Sequence, residues 1–200
     1  MTRTYARFFA LMVLACGVGS VGCATAPRTP AARRSLHQDV LVTIDRFNER
    51  QPEHQHFFDD AEGYAVFPSV AKGGMGLGGA YGRGEVFEQE QLIGHCDLSQ
   101  GTIGFQLGGQ VYSEIIFFDD AGALGRFKTG NFAFAGQASA VALQAGASVA
   151  ADYEHGVAVF TMTRGGLMYE ASIGGQKFTF QPIGVMERDA ISSAEPVTRR

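Results

Sequence analysis

The chain has 200 residues, 46% of them hydrophobic, with 27 Gly, no Trp and a formal net charge of −4. Arg3 and Arg7 are the only charges in the first 22 positions; removing those two from 16 basic residues leaves 14 against 20 acidic ones, a balance of −6. That balance argues against nucleic acid as a partner, because phosphate binding calls for a cationic footprint, and it confines any pull toward anionic lipid to a local basic patch.

The chain opens with a basic stub, Met1 to Arg7, followed by a charge-free run from Phe8 to Val21. A cationic start and a short apolar run form a secretory signal; the run falls short of the roughly 20 apolar residues a spanning helix needs. It ends at Gly22-Cys23, then turns polar at Ala24-Thr25-Ala26-Pro27-Arg28. This junction resembles a lipoprotein signal, which implies cleavage after residue 22 and acyl chains on Cys23. Cys16 is the alternative processed cysteine, at the cost of a shorter apolar core. Ala24 after the cysteine resembles the outer-membrane sorting pattern, so the expected place is the cell envelope, facing the periplasm. After processing, Cys96 is the one thiol left besides Cys23, so no internal disulfide is expected.

Residues 23–34 read as a tether, rich in Pro, Ala and Arg. A helix is expected from Ser35, where Ser35-Leu36-His37-Gln38 fits a capping box and Leu36, Val40, Ile44 and Phe47 give one apolar face. Pro52 ends it and opens a second short helix to about Ala61, with Gly63 as the stop. Tyr64 to Phe67 then reads as a strand closed by Pro68. Gly pairs at 73–74, 78–79, 108–109, 165–166 and 174–175 punctuate the rest of the chain. Gly inside strands marks bulges and bends, which predicts an α+β fold. Its mostly antiparallel, curved sheet is expected to form a barrel or wrapped sandwich behind N-terminal helices. Val111 to Phe118 should be the central strand. Asp119-Asp120 should cap a short helix through Phe127. Phe132 to Val149 reads mainly as strand. Val157 to Thr163, Leu167 to Ile173 and Phe178 to Phe180 read as a closing meander. The domain is bounded at 35–185, and 186–200 is a tail.

The run Ala61-Glu62-Gly63-Tyr64-Ala65-Val66-Phe67-Pro68-Ser69-Val70-Ala71-Lys72-Gly73-Gly74, followed by Gly78-Gly79-Ala80-Tyr81-Gly82-Arg83-Gly84, resembles the opening of a SYLF domain. Gly104 to Gln110, Ala123 to Phe127, Thr163 to Leu167 and Ala171 to Gly175 agree in the same order. His95-Cys96-Asp97-Leu98 stands where the family often has Trp and Pro. The resemblance covers most of residues 36–182 and implies binding to a lipid or membrane surface.

Catalytic patterns are weak. Gly74, Gly76 and Gly79 spell G-x-G-x-x-G, but a dinucleotide site needs a helix to begin there, and strand is expected. His54 and His56, with Glu53, Asp59 and Asp60, read as a solvated polar face. His95 and Cys96 are neighbours on a strand and point to opposite faces. No enzyme activity, catalytic metal or cofactor is expected. The Phe residues, Phe105, Phe117, Phe127 and Phe132 among them, are core or the lining of an apolar cavity. The candidate headgroup ligands are Lys72, Arg83, Arg126, Lys128, Arg164 and Lys177, several of them beside turn glycines. The expected partner is a phospholipid membrane; the alternative is an envelope protein met through the sheet surface.

Overall fold

The computed structural model describes residues 25–130, 133–135, 140–142, 153 and 156–184. The signal segment, Cys23, most of 132–149 and the tail lie outside them. Helix α1 spans Pro30–Arg50. It starts earlier than Ser35: Pro30 sits in the first turn, and the Thr29 side chain accepts a hydrogen bond from the Ala32 N–H. Pro is well placed there, because its missing N–H would have had no helical partner. Residues 30–34 of the expected tether are therefore helix. After a 3₁₀ turn at Pro52–His54, a five-residue helix α2 covers His56–Asp60.

Three long strands follow. They are β1 (Gly63–Glu88), β2 (Gln91–Phe118) and, after helix α3 (Ala121–Lys128), β5 (Val157–Pro182). The three-residue strands β3 (Ala133–Ala135) and β4 (Ala140–Ala142) lie between α3 and β5. The sheet order is β1-β2-β5-β3, with β4 pairing parallel to β5 and the other pairs antiparallel. Val111 to Phe118 does lie in the central strand, and Asp120 caps α3 by accepting from the Ala123 N–H at 2.7 Å. The expected closing meander is instead the single strand β5. Pro68 does not end β1; it sits in a register shift between Phe67 and Val70 on an edge strand, where a missing N–H is tolerated.

The barrel or wrapped sandwich is not formed. The α+β class and the antiparallel pairing stand, but among the described residues no ladder joins β1 to β3, and the sheet stays open. Three long strands and two very short ones leave both edges without a partner to close on. The glycines serve close contact between parts of the same long strand. A Cβ on Gly84 would lie 2.3 Å from the Val66 carbonyl oxygen, and one on Gly82 would lie 2.8 Å from the Val70 side chain. Phe67 on the first half of β1 packs on Phe178 near the end of β5, 5.8 Å between ring centroids. These contacts belong to one core, with Val70, Val86, Cys96, Leu98, Ile116, Phe118 and Phe127. A second core lies under α1 and α2, where Phe47 and Phe57 meet Phe117 and Phe160.

Candidate functional site

Gly82 packs against Val70 and Gly84 against Val66 within β1, so the middle of the strand between them extends as an arm with the paired parts of β2 and β5. Residues 73–82 of β1 and 98–113 of β2 contain no charged side chain. Met75 pairs with Leu107, and Leu77 with Ile103. Opposed residues share a face of the sheet. The register extends both rungs to β5, at Tyr169 and Ile173. On β1 and β2 the core leaves the rung residues uncovered: Met75 is 80% exposed, Leu77 69%, Ile103 72% and Leu107 57%. Single exposed apolar residues are ordinary, whereas a contiguous group marks a surface that meets something apolar. Gly108 has φ of 120° opposite Gly74, a conformation that side chains rarely adopt.

The six candidate cations divide. Lys72 and Arg83 bracket the uncharged run of β1, and Arg164 and Lys177 bracket the corresponding stretch of β5. In register, Lys72 faces Gln110, and Arg83 faces Asp97, whose other neighbour is Thr179. Arg83 Nε donates to the Tyr81 hydroxyl at 3.0 Å and lies 3.7 Å from Asp97 Oδ1, with its guanidinium 5.9 Å from the Tyr81 ring centre. Burial raises the Asp97 carboxyl above its usual range, against the lowering effect of hydrogen bonds from Tyr81 and Thr25 and of the Arg83 and His95 charges. The other two cations sit apart, on α3. Lys128 Nζ is 2.8 Å from both carboxylate oxygens of Glu88, and Arg126 lies beside Asp120 around Gly156. The close approach of Gly82 to Val70 brings the Lys72 and Arg83 positions of β1 to the foot of the arm, and Arg164 and Lys177 lie at the two ends of the matching stretch of β5.

The buried polar groups are a separate feature. His37 Nδ1 on α1 lies 2.8 Å from Glu85 Oε2, and His95 Nδ1 lies 3.8 Å from Glu85 Oε1. Cys96 packs in the first core, where burial and then the nearby acids Asp97, Glu85 and Glu114 push its thiol well above the ordinary value. A thiol held protonated is a poor nucleophile. His54 is not on a solvated face: it is buried, 5.3 Å from the Phe160 ring and 6.1 Å from Phe57. Gly74, Gly76 and Gly79 lie inside β1, with no helix starting there. Among the described residues no group of three His, Cys, Asp or Glu is placed to hold a metal ion, and no helix is long and apolar enough to cross a membrane.

Sequence reasoning named the cations and missed the apolar tip between them. Its signal was present: large apolar residues spaced by Gly in runs without charge. The Gly pairs drew attention to sheet closure instead.

No family model matches the chain. It is similar to "Beta cell expansion factor A" of Aeromonas veronii, with 28% identity over 159 residues. The match covers 77% of this chain and 58% of that protein, so the chain spans little more than half the length of this curated relative.

Proposed function

We propose that this is a lipid-anchored protein of the cell envelope whose domain binds a phospholipid surface through the arm. The observation that carries the reading is the exposed group Met75, Leu77, Ile103 and Leu107 on strands bracketed by Lys72, Arg83, Arg164 and Lys177. Each cation near an anionic surface contributes about 1 kcal/mol, and each large apolar side chain moved fully out of water roughly 1.5–3 kcal/mol. A few of each suffice for binding despite the net negative charge. The SYLF resemblance of residues 36–182 and the lipoprotein-like junction at Cys23 point the same way. The outer membrane, with the domain facing the periplasm, is the proposed location.

Cosedimentation of the chain from Ala24 onward, made without acyl groups, with vesicles containing anionic phospholipid tests this. Binding that weakens but persists as salt rises is expected, because salt screens the cations and leaves the apolar contact intact. Failure to bind vesicles of any composition would reject the reading and favour an envelope-protein partner for the same surface.

A further inference from the structure

We infer that the arm and the acylated N-terminus are seated in one bilayer, with Met75, Leu77, Ile103 and Leu107 entering the membrane that holds the chain's own lipid. The inference rests on the lipid-surface reading and adds which membrane is met, in what orientation and how deeply.

The observation behind it is the path of the chain before α1. Thr25 Oγ1 lies 3.2 Å from Thr179 Oγ1 and also bonds to Asp97. The Ala26 N–H donates to Gln181 Oε1 at 3.2 Å. Ala26 and Pro27 are buried, and Arg33 Nε donates to the Pro27 carbonyl at 2.8 Å. The segment is thus strapped to β2 and β5 at the level of Arg83, since Asp97 is the register partner of Arg83 and Thr179 the partner of Asp97. Cys23 precedes Thr25 by two residues, and two residues of chain span at most about 7 Å. Thr25, strapped beside the foot of the arm, is thus two residues from the point of acyl attachment. A bilayer that takes up this lipid lies against Arg83 and Lys177, and the arm beyond them, uncharged on β1 and β2 and carrying Glu170 on β5, enters the same bilayer.

Depth follows from the backbone. Among the described residues β1 is a sheet edge, and an open edge does not sit in the hydrocarbon core, where its N–H and C=O groups would lack partners. The tip side chains reach the boundary between headgroups and acyl chains, about 5–10 Å deep, while the backbone edge keeps contact with water.

The test uses the mature, acylated chain carrying an environment-sensitive fluorophore at Leu77→Cys, with the same label at Val42→Cys on α1 as the control. The chain is reconstituted in phosphatidylethanolamine–phosphatidylglycerol vesicles. Lipid brominated near the top of the acyl chain is placed either in the host vesicle or in separate vesicles. Bromine in the host should quench the Leu77 label at least twofold and more strongly than lipid brominated near the chain end, leaving the Val42 label unchanged. A 20-residue Gly-Ser insertion between Ala24 and Thr25 should at least halve that quenching. Quenching only from separate vesicles would overturn the inference, as would quenching that survives the insertion in full or no quenching at all. If quenching is absent while the unacylated chain still cosediments with anionic vesicles, the surface reading stands and the one-bilayer seating alone fails.

Discussion

His37 of α1 and Glu85 of β1 meet at 2.8 Å in the interior, with the Glu85 side chain fully buried and His95 3.8 Å from its other oxygen. This contact ties the N-terminal helix to the sheet. A buried hydrogen bond adds little over a well-packed apolar pair, but removing one partner leaves the other unsatisfied. Glu85→Ala is expected to cost roughly 2–3 kcal/mol, because it leaves the buried His37 ring without its Glu85 partner, and Glu85→Gln, which keeps a hydrogen-bonding oxygen, about 1 kcal/mol. Urea unfolding at pH 7 measures both. Equal losses for the two variants would show that charge and hydrogen bonding at this position do not matter.

Glu114 gives the fold a dependence on pH. It is fully buried, its Oε2 accepts from Gln176 at 3.1 Å, and burial pushes its pKa from 4.5 to about 7 in spite of that hydrogen bond. Below pH 4.5 both folded and unfolded states hold the proton. Between that value and 7 the unfolded state ionises first, so stability is lost as pH rises. The loss is on the order of 3 kcal/mol once pH passes the folded-state value. Glu114→Gln should remove this slope and make the variant more stable than the parent at about pH 8, with little difference at about pH 4. Parallel stability curves for the two proteins across that range would contradict it.

The β1–β2 hairpin turns through Gln89 and Glu90, with φ of 49° and 63°. Two left-handed residues in a two-residue loop are the pattern of a type I′ turn, which favours Asn-Gly. Replacing the pair by Asn-Gly should stabilise the protein by about 1 kcal/mol through relief at these two positions. Removing Glu90 also takes away a charge that, after burial, holds the Tyr64 hydroxyl up at about 12. Thermal unfolding reads the gain, and a lower midpoint for the double variant would refute the turn argument.

Local signals in the sequence carried over well, and long-range ones did not. Asp120 before α3 and the apolar run from Val111 to Phe118 are decided by neighbours along the chain, and both are as expected. Thr29 caps α1 inside a stretch whose Pro, Ala and Arg content reads as a tether, because Pro30 in a first turn favours a helix. The SYLF resemblance remains a proposal, as no family model matches. The Gly pairs announced bends without saying whether the sheet closes, because closure depends on which edges pair. His54 looked polar in the sequence, but its burial comes from Phe160, distant along the chain. The cations were legible as a set; their division between the arm and α3 depends on strand register.

That division predicts different effects. Replacing Lys72, Arg83, Arg164 and Lys177 by Ser should weaken binding to anionic vesicles by up to about a thousandfold at low salt, since each contributes about 1 kcal/mol. Replacing Arg126 and Lys128 should leave binding nearly unchanged and instead lower stability, because the Lys128–Glu88 pair is lost; a partly exposed pair is worth about 1 kcal/mol or less. Cosedimentation at low and high salt separates the sets. Equal losses from both would mean that binding follows total charge and not the arm.

The tip gives the sharpest separation of stability from binding. Leu77 and Ile103 are 69% and 72% exposed and opposite one another, so their side chains contribute little to the core. Leu77→Asp with Ile103→Asp should lower unfolding free energy by only about 1–2 kcal/mol in total, from two opposed like charges on paired strands. The same pair loses the transfer of two apolar side chains, roughly 1.5–3 kcal/mol each if fully buried, and adds two negative charges facing anionic headgroups. Vesicle binding should fall by about a hundredfold or more, and the remainder should vanish as salt rises because only the cations are left. Val42→Asp, at an exposed apolar position on α1, should not alter binding. A double variant that remains folded and binds like the parent would show that the tip stays outside the membrane, leaving headgroup attraction by the cations as the whole of the interaction.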